Sequence, residues 1–117
     1  MGRDLYLLPI KETGSFWLSH SVLEVERRYV LFDEIGKIPQ FPIQIEFCSF
    51  VGGQTKQGNT CYGDAREDPY GDPVKWVHAK DLVALAHMEE SQSPFNRPIW
   101  AFLGQLPPEQ KVALYWH

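Results

Sequence analysis

The alternation of hydrophobic and polar residues predicts strands in the first half of the chain. Residues 4–10 form a short apolar run that ends at Pro9 and a Lys-Glu-Thr-Gly sequence, which is typical of a strand buried on both faces. We expect residues 15–19 to be its partner across the turn. Residues 43–51 alternate in their first half and predict a further strand of the same sheet.

A first helix is predicted between these strands. Ser21 and Glu24 have the S-x-x-E spacing of a capping box, and Gly36 stands where a helix commonly stops. The helix is therefore expected at about residues 22–35. Its apolar positions follow at spacings of four, three and three, and they are Val25, Tyr29, Phe32 and Ile35.

The second half of the chain alternates strand and helix patterns. Residues 74–77 predict a brief strand and residues 79–88 a second helix. A third helix is expected to be capped near Asn96 and to hold Pro98 in its first turn. Residues 111–116 alternate well enough to favour a strand over a short helix. The buried stripe of the third helix is expected to be Ile99, Phe102, Leu103 and Leu106.

Together these elements predict one α+β domain over residues 1–117, with a small, mostly antiparallel sheet and about three helices packed on it. Hydrophobic residues make up 44% of the chain and aromatic residues 14%, which favours a folded globule over disorder. The net charge of −4 disfavours direct binding of nucleic acid, and no apolar run approaches the length that spans a bilayer. Cys48 and Cys61 are interpreted as reduced thiols of a cytoplasmic protein.

A long irregular loop is predicted at about residues 52–73. Within it the tripeptide Tyr-Gly-Asp occurs twice, eight residues apart, among acidic and turn-forming residues that favour exposure. Tyrosine is frequent in protein interfaces, and carboxylates can pair with arginine or lysine of a partner. The loop is therefore a candidate partner-binding surface, and the alternative is that its tyrosine rings fold back onto the core. The candidate residues are Tyr62, Asp64, Glu67, Asp68, Tyr70 and Asp72.

Catalytic and metal-binding alternatives find less support in the sequence. The loop carboxylates together with His78 could bind Ca²⁺ or Mg²⁺, but their spacing does not match an EF-hand. The cysteines, with His78 and His87, lack the close ligand pairs of structural zinc sites. A cysteine and a histidine could also form a nucleophile and base, although any chain with both residue types allows this. We accordingly predict no catalytic residue, no metal and no cofactor.

Four short segments, taken in order, resemble a known group of small proteins. They are Met1-Gly-Arg-Asp-Leu5, Arg28-Tyr-Val-Leu-Phe32, Trp76-Val-His-Ala-Lys-Asp-Leu82 and Lys111-Val-Ala-Leu-Tyr-Trp116. The group occurs in phages and actinobacteria, and its members begin Met-Gly-Thr-Asp-Ile. The resemblance implies an origin on a mobile element, and it carries over no catalytic residue.

The leading functional hypothesis is a small non-enzymatic protein that binds a host protein through the acidic loop, for example as an inhibitor of a host defence complex. The partner is expected to be a host or cognate protein, and the acidic charge of the chain favours one with a basic surface. The alternative is a metal-binding protein or metal-dependent enzyme that uses the loop carboxylates and His78. A third hypothesis is self-association through a sheet edge or an aromatic patch.

Overall fold

The computed structural model describes residues 3–19, 21–50 and 63–117, and the structural statements below concern these residues. They form an α+β fold, as predicted. The strands are β1 (Leu5–Pro9), β2 (Lys11–Glu12), β3 (Trp17–Ser19), β4 (Leu23–Val25), β5 (Phe41–Pro42), β6 (Phe47–Ser49), β7 (Gly63–Asp64), β8 (Lys75–His78) and β9 (Lys111–Trp116). The α-helices are α1 (Tyr29–Gly36), α2 (Ala79–Val83) and α3 (Arg97–Gly104), and 3₁₀ turns cover Ala84–His87 and Glu89–Gln92.

The larger sheet has five strands in the order β4-β1-β9-β8-β5, and each neighbouring pair is antiparallel. The predictions of β1, β8 and the C-terminal strand β9 are confirmed. β9 lies in the middle, where it pairs with β1 on one side and β8 on the other. A strand in this position is covered on both faces, which explains why four consecutive residues of β9, from Val112 to Tyr115, are buried.

The smaller sheet has the order β2-β3-β6-β7, and it was not predicted as a separate sheet. The expected pairing of residues 15–19 with β1 is wrong, because β3 pairs with Lys11–Glu12 and, in parallel, with β6. The strand expected at 43–51 is present but shorter, since β6 covers Phe47–Ser49, and its expected place in the sheet of β1 is wrong because it belongs to the smaller sheet. Pairs of two or three residues leave almost no periodic signal in a sequence.

The first helix is shorter than predicted. Residues Leu23–Val25 form the edge strand β4 on β1, so Ser21 and Glu24 do not make a capping box. Arg28 is still extended, and α1 begins only at Tyr29. Its end at Gly36 is as predicted. Pairing with the buried strand β1 has outweighed the helical spacing of the apolar residues, which is a common outcome for weak local signals.

Two hydrophobic clusters lie on opposite faces of the five-stranded sheet. On one face, Leu5, Leu7 and Leu114 pack against the three α-helices. On the other, Leu8 and Tyr115 contact the smaller sheet. The remaining buried members of this second cluster are Ile10, Phe47, Ala65, Val74 and Ala113. Adjacent residues of a strand point to opposite faces, and the central sheet therefore supplies both cores.

Helix α3 begins after Asn96 and has a proline in its first turn, as predicted, but Asn96 does not cap it through its side chain. The buried amide of Asn96 instead links three segments. Its Oδ1 accepts a hydrogen bond from the backbone N–H of Glu26 at 2.7 Å. Its Nδ2 donates to the backbone oxygens of Glu26 at 3.3 Å and Glu90 at 3.0 Å. Asn96 therefore ties the end of β4 to the 3₁₀ turn before α3.

The predicted stripe of α3 is partly correct. Ile99 and Leu103 are buried as expected, whereas Phe102 is 39% exposed. Trp100 takes its place in the core, and its indole Nε1 donates to the backbone oxygen of Leu82 at 2.9 Å. In the part of the chain that the structure covers, no helix is long and apolar enough to cross a membrane.

Candidate functional site

The described part of the acidic loop, residues 63–73, is more regular than the sequence predicted. It starts with β7, which pairs with β6 through Cys48 and Asp64. Glu67 and Pro73 form an isolated antiparallel bridge, so the segment between them turns back on itself. Residues 52–62 of the predicted loop, with the candidate Tyr62, lie outside the described residues. The described residues 63–73 are the acidic loop.

Asp68 organises the turn of the acidic loop. Its Oδ1 accepts hydrogen bonds from the backbone N–H groups of Tyr70 at 2.9 Å and Asp72 at 3.0 Å. Gly71 completes the turn with a φ of 84°, a conformation that suits glycine. Asp68 is only 8% exposed, so the prediction that all the loop carboxylates are exposed is wrong for this residue. An aspartate that accepts hydrogen bonds from the N–H groups two and four residues later stabilises the turn in which it lies.

Asp64 is exposed and is paired within the loop. The side chain of Arg66 donates to both of its carboxylate oxygens, with distances of 2.7 Å from Nη2 and 3.0 and 3.1 Å from Nε. The hydrogen bonds from Arg66 hold the pKa of Asp64 below its usual value. Asp64 therefore stays ionised at neutral pH, and its side chain is 51% exposed.

Tyr70 and Asp72 meet an arginine from the other end of the chain. Arg3, just before β1, donates from Nη2 to Oδ2 of Asp72 at 3.2 Å. The guanidinium carbon of Arg3 also lies 4.7 Å from the centre of the Tyr70 ring, within the range of a cation–π contact. Tyr70 remains 52% exposed. Its ring therefore lies at the surface beside Arg3 and has not folded back onto the core.

Of the predicted partner-binding residues, the structure thus places Asp64, Glu67, Tyr70 and Asp72 at the surface of one short loop. The sequence did not indicate the contribution of Arg3 to this site. No local signal could have found Arg3, because it stands 69 positions from Asp72. The pairing of Arg66 with Asp64 could in principle have been predicted, because the two residues stand two positions apart in a turn.

We expect Asp68→Ala to destabilise the protein by about 1–2 kcal/mol, because two backbone N–H groups lose a charged acceptor. Asp68→Asn keeps the Oδ1 acceptor and should change the stability by less than about 0.5 kcal/mol. Urea unfolding of both variants measures the difference. If alanine and asparagine behave alike, the Asp68 carboxylate does not organise the turn.

A second surface is a groove between the two sheets. It has a volume of about 230 Å³ and is lined by Trp17, Pro42, Gln44, Ile45 and Trp76. The two indole rings meet edge to face at 6.4 Å, and the ammonium of Lys111 lies 5.0 Å from the centre of the Trp76 ring. The Trp76 Nε1 donates to the backbone oxygen of Pro42 at 3.2 Å. The indole N–H of Trp76 and the ammonium of Lys111 therefore have partners within the protein, and the groove is explained by packing between the two sheets.

A third surface is a polar cavity beside the start of α1. It has a volume of about 460 Å³, and its lining residues are Arg28, Glu89, Glu90, Gln92, Ser93 and Pro94. Arg28 donates to Oε1 of Glu26 at 2.9 Å. A hydrogen bond from Ser93, followed by that from Arg28, lowers the pKa of Glu26. The charge of Arg28 in this cavity is therefore paired with Glu26.

The residues proposed for metal or nucleophilic chemistry do not assemble in the described structure. His78 contacts Glu109 at 3.5 Å and the rings of Phe41 and Trp76. Cys48 is half-buried rather than fully buried, and burial raises the pKa of its thiol. Cys61 lies outside the described residues. Among the residues that are described, no three His, Cys, Asp or Glu side chains are grouped so that they could hold a metal ion.

Comparisons of the chain with protein-family models, curated proteins and solved structures gave no match.

Proposed function

We propose that the chain is a non-enzymatic protein-binding module that contacts its partner through the acidic loop. The observation that carries this proposal is that Tyr70 is half-exposed on a turn whose backbone is already held by Asp68. A loop that is ordered before binding loses less conformational entropy in the complex. Tyrosine suits such a surface because it offers a large contact area and a hydrogen-bonding hydroxyl.

The charge of the loop indicates the kind of partner. The side chains of Asp64 and Asp72 are 51% and 60% exposed, and among the described residues each forms an ion pair with one exposed arginine. Exposed ion pairs of this kind contribute about 0–1 kcal/mol, so their carboxylates can exchange partners at little cost. A partner with a basic surface could thus bind them, and electrostatic attraction would speed the encounter.

The biological setting that we propose follows from the resemblance of the four sequence segments to proteins of phages and actinobacteria. In this setting the chain is an accessory protein of a phage or mobile element that acts in the cytoplasm on a host protein. Inhibition of a host defence complex would require binding and no chemistry, which agrees with a site built from tyrosine and carboxylates. A metal-dependent function finds no specific support, because His78 is paired with Glu109.

The proposal is tested by neutralising the exposed carboxylates while Asp68 is left in place. We expect the triple variant Asp64→Asn, Glu67→Gln, Asp72→Asn to lose the host protein that the unmodified chain captures from a lysate. Binding of that purified partner, measured by calorimetry, should weaken at least about tenfold, and the loss should shrink at high salt.

The matched control removes the same number of charges at exposed positions elsewhere, by Glu24→Gln, Asp33→Asn and Glu89→Gln. This variant should retain the partner with unchanged affinity. Equal capture by both triple variants would show that the acidic loop is not the binding surface. Equal loss in both would show that only the net charge of the chain matters.

A further inference from the structure

We propose that Tyr70 and Asp72 form a binding site for an arginine side chain of the partner, and that Arg3 occupies this site while the partner is absent. The inference rests on the protein-binding function proposed above and names the chemical group that the acidic loop recognises. It also assigns Arg3 the role of an internal competitor.

The contacts of Arg3 show which chemistry the site accepts. Its guanidinium lies 4.7 Å from the centre of the Tyr70 ring and donates to Asp72 at 3.2 Å. A guanidinium is planar, always charged at neutral pH and able both to stack on a ring and to bond a carboxylate. A lysine ammonium is a compact point charge and does not match this combination of ring and carboxylate as well.

The site does not depend on Arg3 for its shape. The carboxylate of Asp68 holds the backbone N–H groups of both Tyr70 and Asp72, so the loop itself positions the ring and the carboxylate. Arg3 comes from the segment before β1 and reaches Asp72 through one hydrogen bond in the described structure. A guanidinium can make two parallel bonds to a carboxylate. An arginine that approaches freely could therefore use the site more fully than Arg3 does.

Displacement of Arg3 should be easy. The side chains of Arg3 and Asp72 are 46% and 60% exposed, so water screens their attraction. An exposed ion pair together with an exposed cation–π contact should favour the occupied state by about five- to tenfold. Occupation by Arg3 then lowers the apparent affinity for a competing arginine by about the same factor.

The test uses a capped arginine, N-acetyl-arginine amide, as the probe. It is titrated into the unmodified protein and into Arg3→Gln, and the ring signals of Tyr70, assigned with Tyr70→Phe, are followed by NMR. We expect Arg3→Gln to bind the probe about five- to tenfold more tightly than the unmodified protein. Adding Asp72→Asn to Arg3→Gln should remove the binding, and N-acetyl-lysine amide should bind much more weakly than the arginine probe.

Arg97→Gln, which removes an exposed arginine on α3, is the matched control and should behave like the unmodified protein. Arg3→Lys keeps the charge but matches the ring and the carboxylate less well, so it should also bind the probe more tightly than the unmodified protein, and it serves if Arg3→Gln does not fold. The inference is overturned if the Arg3 variants gain no affinity, if lysine binds as well as arginine, or if binding survives Asp72→Asn. Should this happen while the loop triple variant still loses the host protein, the binding function stands and only the assigned partner group is wrong.

Discussion

Replacing Phe47 by alanine is expected to lower the free energy of unfolding by about 3–5 kcal/mol, the largest effect of any substitution considered for this chain. Phe47 is fully buried in β6 and packs in the cluster that joins the two sheets. Removing its ring leaves a cavity beside Leu8 and Tyr115 that rigid strands can only partly close. A loss of this size is a large share of the roughly 5–15 kcal/mol that stabilises an ordinary domain.

The measurement is urea or guanidinium unfolding followed by tryptophan fluorescence. Phe95→Ala removes an equal ring at a site that is 72% exposed, and it should change the stability by less than about 0.5 kcal/mol. The acidic loop should respond as well, because Ala65 donates its backbone N–H to the carbonyl oxygen of Phe47 at 2.8 Å. If Phe47→Ala costs less than about 1 kcal/mol, the smaller sheet does not pack on the larger one as described.

Asn96→Ala should have the next largest effect, a destabilisation of about 2–4 kcal/mol. The substitution removes three hydrogen bonds and leaves the N–H of Glu26 and the carbonyl of Glu90 without the Asn96 amide in partly buried positions. Each unsatisfied buried group costs about 1–3 kcal/mol. Because Glu26 is partly exposed, we expect the total loss of stability to stay below the sum of the highest costs.

Gln92→Ala provides the comparison for Asn96. The Gln92 amide also donates to a backbone oxygen, that of Ala86 at 2.8 Å, but its side chain is exposed and water can replace the bond. Its removal should cost less than about 0.5 kcal/mol. Similar thermal midpoints for the two alanine variants would show that Asn96 does not link β4 to the turn before α3.

The parts of the fold that could be predicted are those whose signal is local. β1 is a short apolar run, β9 has an alternating pattern, and α3 has a proline at its start, so each could be located from its own residues. β4 could not, because Leu23–Val25 form a strand only through pairing with β1. The apolar residues from Val25 onward do have helical spacing. The free energy gained when β4 pairs with the edge of the sheet outweighs the preference for a helix.

The candidate site likewise combines features that have a local sequence signal with features that depend on distant residues. The turn at Gly71 follows from residues within the loop and could be predicted, whereas the sequence left open whether the Tyr70 ring is exposed or folds back onto the core. The burial of Asp68 could not be predicted from composition, because an aspartate is found inside only when specific donors surround it. The contact of Arg3 with Asp72 depends on how the first strand lies beside the loop, and a single sequence does not contain that distance.

The position of β9 also has a consequence for how the chain folds during synthesis. β1 already has β4 as a neighbour, and β8 has β5, but these two halves of the sheet meet only through β9. Until residues 111–116 have left the ribosome, each half presents an open edge in place of its central partner. The acidic loop and the three α-helices are therefore made before the sheet that supports them can close, and the nascent chain needs β9 before either core is complete.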